Sequence, residues 1–288
     1  MLDITNCSND ISLYGGSEIK KTYFIDGLKY MVKFPDPIRE KNRNISYVNN
    51  QFSEYIGSHI FELFNIDTQK TKLVKCNIDG KTKIGVACLD FLMPNDKLFE
   101  FKNLSYSLNS DKRYTNDTND IFEMVKLLNN FDDKDNFEEY FYKVFVVDTL
   151  IGNVDRHLGN WAVILRDGKY MMSPIYDCGS SLHPLLSQDD IHNLLNDEVQ
   201  FKNVAINLKT AYRFNDKSMT YLDFYKLMPD KLSFALNTIY PLIDMNKIKD
   251  IIYSIEVLTE EQKEFYFKSI MYRKEFILEK YYKKINKN

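Results

Sequence analysis

The segment from Trp161 to Met172 constrains this chain more than any other. Trp161 to Leu165 (WAVIL) reads as a strand, Asp167-Gly168 as a tight hairpin turn, and Lys169 to Met172 as the returning strand. A hairpin brings its two ends together. The polar loop before it (Asp155 to Asn160) and the loop after it (Tyr176 to Ser181) must therefore lie side by side. Asp155, Asn160 and Asp177 then fall within reach of one site. Oxygen donors so placed suit Mg²⁺ held on phosphates, beside a carboxylate that serves as base for an attacking hydroxyl. Each residue also has a plainer reading. Gly152-Asn153 suits a helix C-cap, Asp155 and Arg156 a surface ion pair, and Asn160 and Asp177 local turns.

Upstream, Ile11 to Tyr14, Lys20 to Ile25 and Leu28 to Phe34 read as strands. Gly15-Gly16-Ser17 is a turn whose backbone N–H groups suit a phosphate, and Asp26-Gly27 is a second hairpin signal. Lys33 shares a strand face with Lys29 and Met31; there it either snorkels at a sheet edge or reaches a phosphate. Phe52, Ile56, Ile60, Leu63 and Phe64 mark a helix over 49–64. Glu54 lies off that stripe, either solvated or turned toward Lys33. Strands at Thr71 to Cys76 and Lys83 to Phe91, joined at Asp79-Gly80, lead into Leu92-Met93-Pro94. Five strands and one helix thus predict a small β-rich lobe over residues 1–94. Residues 95 to 119 read as an irregular connection.

Beyond them the chain turns helical: Asp120 to Phe131, Asn136 to Ile151, segments near 188–197, 221–228, 233–242 and 245–257, and Glu260 to about Lys284. Residues 95–288 therefore predict a larger helical lobe, and the fold class is α+β.

A formal net charge of −3 gives no argument for direct nucleic-acid binding. The four cysteines form no C-x-x-C pair and the four histidines no H-x-x-x-H, which speaks against zinc and for reduced thiols. No apolar run approaches the roughly 20 residues of a membrane helix. MLDITNCSND lacks the basic and apolar regions of a signal peptide. The expectation is a protein made in the cytoplasm, with export by a signal-less route left open. Heavy use of Asn, Lys and Ile suggests an AT-rich, bacterial genome.

Asn153-Val-Asp-Arg-His-Leu-Gly-Asn160 resembles the N-x-D-R-H-x-x-N catalytic loop of HipA-like serine/threonine kinases. Pro174-Ile-Tyr-Asp-Cys-Gly-Ser-Ser-Leu182 resembles their P-x-Y-D-x-G-x-S segment, and the compact organisation is similar to that of a secreted member. The resemblance implies a two-lobed protein-kinase-like fold, ATP and Mg²⁺ as cofactors, and transfer to Ser or Thr hydroxyls of a protein substrate, with autophosphorylation. On it, Asp155 orients the hydroxyl and accepts its proton, with Asn153 and His157 beside it in the catalytic loop. Asn160 and Asp177 are the metal ligands. Lys33 contacts the α- and β-phosphates with Glu54 as its partner. Gly15, Gly16 and Ser17 fill the phosphate-loop position, and Leu92 and Met93 the hinge that reads adenine.

Two features depart from the usual kinase pattern. The glycines fall short of a full G-x-G-x-x-G, and His-Arg follows the aspartate in reverse order, which favours His157 as a structural donor. Phosphoinositide kinases carry a related D-R-H-x-x-N loop, so a lipid or small-molecule kinase is one alternative. A nucleotide-binding pseudokinase or toxin-partner module is another. The substrate, the oligomeric state and the choice between toxin and host-directed effector stay open.

Overall fold

In a computed structural model of the chain, residues 1–10, 19–35, 48–78, 80–108, 112–131 and 133–287 are described. Gly15, Gly16, Ser17 and the strand expected at Ile11 to Tyr14 lie outside them. Strands β3 (Ile19–Ile25) and β4 (Leu28–Phe34) meet at Asp26 and Gly27, both left-handed with φ of 53° and 78°. That is the turn whose twist matches its flanking strands. Strands β5 (Thr71–Ile78) and β6 (Lys81–Leu89) complete the antiparallel core. With β1 (Leu2–Asp3) and β2 (Asn9–Asp10) they form one sheet in the order β1-β5-β6-β4-β3-β2. The sequence reading did not contain β1 and β2, because two residues are too few to show an alternating pattern.

Helix α1 (Asn50–Glu62) packs on β5 and β6 but belongs to the core of the helical body. Its Ile56, Ile60 and Phe61 are fully buried, each removal from water contributing about 1.5–3 kcal/mol. The sheet's own cluster, with Tyr23, Tyr30, Val32, Val74 and Ala87, is separate and smaller. Gly57 lets α1 come close to the segment after the hairpin: a Cβ there would lie 2.7 Å from the Cβ of Cys178.

Residues 97–107 are not irregular. Strand β7 (Lys97–Glu100) pairs with β8 (Ala162–Arg166), which pairs with β9 (Lys169–Met172), and α2 (Phe101–Ser107) follows directly. Leu98, Phe99 and Glu100 of β7 are half-buried, and the strand pairs with residues 162–165 far downstream, so local composition conceals it.

Helix α3 (Thr118–Lys126) leads to α4 (Phe137–Ile151), the axis of the helical body. In α4 Phe141, Val144, Phe145, Val146, Val147, Leu150 and Ile151 are all buried, so apolar residues surround the helix on every side. Next come α5 (Gln188–Leu195), α6 (Glu198–Ile206), the hairpin β10 (Lys209–Phe214) and β11 (Lys217–Thr220), and α7 (Tyr221–Leu227). Helices α8 (Asp230–Ile239) and α9 (Met245–Tyr253) precede α10 (Glu260–Arg273). A Thr259–Gln262 capping box starts α10, a π-helical stretch Lys274–Glu279 interrupts it, and α11 (Lys280–Ile285) ends the chain. Helix α6 and the β10–β11 hairpin escaped the sequence reading; α6 buries only Phe201 and Ala205, too few for a periodic signal. No disulfide joins the cysteines, and no helix among the described residues is long and apolar enough to cross a membrane.

Candidate active site

Helix α4 stops at Gly152, left-handed at φ 69°, with the N–H groups of Gly152 and Asn153 donating to the Asp148 carbonyl. One turn back, the Asp148 side chain sits fully buried among apolar neighbours. A buried carboxylate needs partners. Arg156 supplies a two-pronged one, Nε and Nη2 each 3.0 Å from an Asp148 oxygen, and Asn153 Nδ2 donates at 3.0 Å. Burial opposes the Arg156 charge, but Asp148 outweighs it and keeps the guanidinium ionised. Arg156 is therefore not half of a surface pair with Asp155. Its remaining donors reach the Tyr176 carbonyl and, at 3.5 Å, Cys178 Sγ, which fastens the loop before the hairpin to the segment after it.

Asn153 has no exposed surface, and its Oδ1 accepts the Asp155 N–H at 3.1 Å. Its carbonyl accepts from the Tyr221 hydroxyl. His157 Nδ1 accepts from Gly159 N–H (3.0 Å), so at that nitrogen the ring is an acceptor rather than the donor expected. Its Nε2 lies 4.0 Å from Asp155 Oδ2. The Asp155 carboxyl itself is half-exposed. Its pKa is raised, mainly by burial, with the neighbouring Asp177 charge adding and His157 and Arg156 opposing.

Across the hairpin, Asp167 and Gly168 are left-handed (φ 50° and 79°) and Tyr176 Oη donates 3.0 Å to the Gly159 carbonyl, joining the two loops. Asp177 is also left-handed, φ 58°. There its Oδ1 accepts from Lys33 Nζ at 2.8 Å, and the same Nζ donates 2.9 Å to Glu54 Oε2. Lys33 and Glu54 are almost wholly buried, at 5% and 1% side-chain exposure, whereas 37% of the Asp177 side chain stays open. Burial would raise the Asp177 pKa, but the charge and hydrogen bond of Lys33 overcome it and hold the carboxyl at about 2. Glu54 Oε1 accepts from Cys178 N–H at 2.9 Å, so one carboxylate of α1 grips both the lysine and the backbone beside Asp177. Lys20, directly across from Lys33 on β3, adds positive charge toward Asp177.

The structure thus bonds Lys33 to both Glu54 and Asp177, and sets Asp155 beside Asp177 with Asn160 against the Asp155 backbone. Asn160 Nδ2 donates 2.7 Å to the Asp155 carbonyl, which leaves its Oδ1 as an acceptor, and Asp177 keeps Oδ2 beyond its bond to Lys33. No cluster of three or more His, Cys, Asp or Glu forms a metal cage among the described residues. One amide oxygen and one carboxylate oxygen make a sparse, hard donor set. That fits Mg²⁺, which retains waters and takes its other ligands from phosphates. At the link, the N–H groups of Leu92 and Met93 are engaged by Asp90 (3.1 Å) and Asp96 (2.9 Å). Sequence reasoning missed Asp148 and Tyr221. A lone acid in the apolar run FVVDTLI was a usable signal for the first; nothing local marks the second.

A lysine on a small antiparallel sheet, paired with a glutamate on the helix packed against it and facing an Asp-bearing loop and a second Asp after a hairpin, is the arrangement of a two-lobed kinase-like fold. A family model described as the HipA-like C-terminal domain matches residues 14–246, and the chain belongs to that family; it is a protein kinase. It is 34% identical, over 96% of its length and 86% of the relative's, to the serine/threonine-protein kinase CtkA of Helicobacter pylori strain J99. The crystal structure of the Helicobacter pylori proinflammatory kinase CtkA superposes with a TM-score of 0.88 at 29% identity, covering 99% of this chain and 98% of that one. HipA, in a Shewanella oneidensis complex with HipB and operator DNA, matches at TM-score 0.57 and 14% identity over 97% of this chain and 68% of that one, a likeness of fold alone.

Proposed function

We propose that this protein transfers the γ-phosphoryl group of ATP, with Mg²⁺, to Ser or Thr hydroxyls of a protein substrate, and that it phosphorylates itself. The observation that carries the reading is Lys33 bonded at once to Glu54 and Asp177, opposite a carboxylate of raised pKa at Asp155. Residues 1–94 form the nucleotide-side lobe and 95–288 the lobe that bears the catalytic and metal loops. Lys33, held by Glu54, binds the α- and β-phosphates. Asn160 and Asp177 would hold the metal, which when bound neutralises charge on the transferring phosphoryl group. Asp155 orients the acceptor hydroxyl and takes its proton, and its raised pKa suits that task. Asn153 and His157 position Asp155. Leu92 and Met93 form the hinge that reads adenine, through their backbone carbonyls, since their amides are engaged by Asp90 and Asp96.

Radiolabelled ATP with a generic protein substrate tests the reading. Label should appear on Ser or Thr and on the protein itself, and vanish in Asp155→Asn and Asp177→Asn. Transfer that persists in both variants sinks the assignment. Labelling of phosphoinositides but not protein favours a lipid kinase, and Mg²⁺-nucleotide stabilisation without turnover favours a binding module.

A further inference from the structure

Arg273, the last residue of α10, has no exposed surface, and no carboxylate bonds it among the described residues. Its donors go to backbone carbonyls instead: Nε to Leu150 (2.9 Å), Nη2 to Ile151 (3.2 Å) and Nη1 to Ala205 (3.3 Å). These are C-terminal carbonyls of α4 and α6, acceptors with no partner inside their own helices. A cation there faces the negative ends of two helix dipoles. Burial lowers its pKa to about 9, so it stays protonated at neutral pH. Desolvating a guanidinium is expensive, and water or a simple glycine cap usually satisfies a helix end at far smaller cost.

What lies against Arg273 is more telling. Ile151's carbonyl also accepts the Leu182 N–H at 3.1 Å, where the segment bearing Asp177 ends. Gly152, which caps α4 immediately before the catalytic loop, has room for a hydrogen only: a Cβ would stand 2.8 Å from the Arg273 guanidinium carbon. Tyr221, whose hydroxyl bonds the Asn153 carbonyl, is near enough to interact electrostatically with Arg273, as is the buried His183 just after Leu182. Directly beyond Arg273 the helix changes to π geometry, a feature frequent at functional sites. Arg273 and this π stretch lie in the C-terminal helical segment, outside the 14–246 family match, whereas the groups Arg273 touches lie inside it.

We infer that Arg273 is a positioning residue for phosphoryl transfer. By holding the Leu150 and Ile151 carbonyls it sets where Gly152 to Asp155 leave α4 and where Leu182 closes the metal segment, and so the placement of Asp155 relative to Asp177. The inference rests on the phosphoryl-transfer reading and adds to it a residue supplied by the C-terminal helix.

The test uses the full chain with Arg273→Ala and Arg273→Lys, assayed well below each variant's melting temperature. Because small displacements of catalytic groups are costly, Arg273→Ala should lower kcat about tenfold to a hundredfold. KM for ATP should stay within about threefold, since nucleotide contacts are untouched. Guanidinium ion at millimolar concentration should restore part of the Arg273→Ala activity by occupying the vacated carbonyl cradle, with no gain for the unaltered chain. Should Arg273→Ala fail to fold, Arg273→Lys carries the test with a severalfold loss in kcat. Wild-type kcat in the folded variants, or a loss confined to melting temperature, overturns the inference. Absence of transfer by the unaltered chain overturns the phosphoryl-transfer reading itself, and the inference with it.

Discussion

Replacing Asp148 by leucine would leave the Arg156 charge buried without its counter-ion. Asp148 has no exposed surface and accepts three bonds of 3.0 Å, two from Arg156 and one from Asn153. Removing one partner of such a pair costs about 3–5 kcal/mol. Unfolding entropy near 2.1 cal/mol/K per residue gives roughly 0.6 kcal/mol/K for 288 residues, so the melting temperature should fall by about 5–8 °C. Trp161 is the single tryptophan, buried and bonded to Tyr212 at 3.0 Å, and its fluorescence reports the transition close to the loop. Asp148→Leu combined with Arg156→Met should recover at least half of the lost stability, because an apolar pair of similar volume removes the uncompensated charge. It should not recover activity, since Asn153 and the Tyr176 carbonyl still lack their partners. A single variant that loses under about 1 kcal/mol, or a double variant no more stable than the single, would refute this account of the loop.

Two further outcomes follow from the same geometry. The folded Asp177 pKa is depressed from 3.8 to about 2, so its contribution to stability is present above about pH 4 and lost as pH falls toward 2. Lys33→Met removes the chief opposing charge and should move that acid limb to higher pH; melting profiles of variant and wild type that superimpose between pH 2 and 6 would contradict it. Tyr221→Phe deletes the hydroxyl that donates to the buried Asn153 carbonyl and should cost about 1–3 kcal/mol by urea denaturation, with a loss of activity larger than any change in nucleotide binding. An unchanged midpoint would show that the bond is dispensable.

Turn chemistry made part of this architecture readable from the residues alone. Asp26-Gly27 and Asp167-Gly168 adopt the left-handed pairs that a two-residue hairpin requires, and the second pair places the loops of Asp155 and Asp177 side by side. Alternation on β4 presented Lys33, and helical spacing located α1 with Glu54 upon it. These are short-range signals, written within one turn or one strand. The sequence could offer Glu54 only as solvated or turned toward Lys33, whereas packing buries it, bonds it to Lys33 and aims its other oxygen at Cys178 N–H. Strand β7 takes its identity from β8, and the polar residues around it carry no trace of that partner. Asp148 and Arg156 look unremarkable eight residues apart until α4 is buried, when each becomes tolerable only because of the other. Arg273 stands 121 positions beyond Gly152, yet closes the helix end that Gly152 begins to leave. Local residue chemistry determined strands β3 to β6, β8 and β9, their turns and the convergence of the loops. Which buried charges and carbonyls complete one another depends on contacts between segments far apart in the chain, and only tertiary packing decided those.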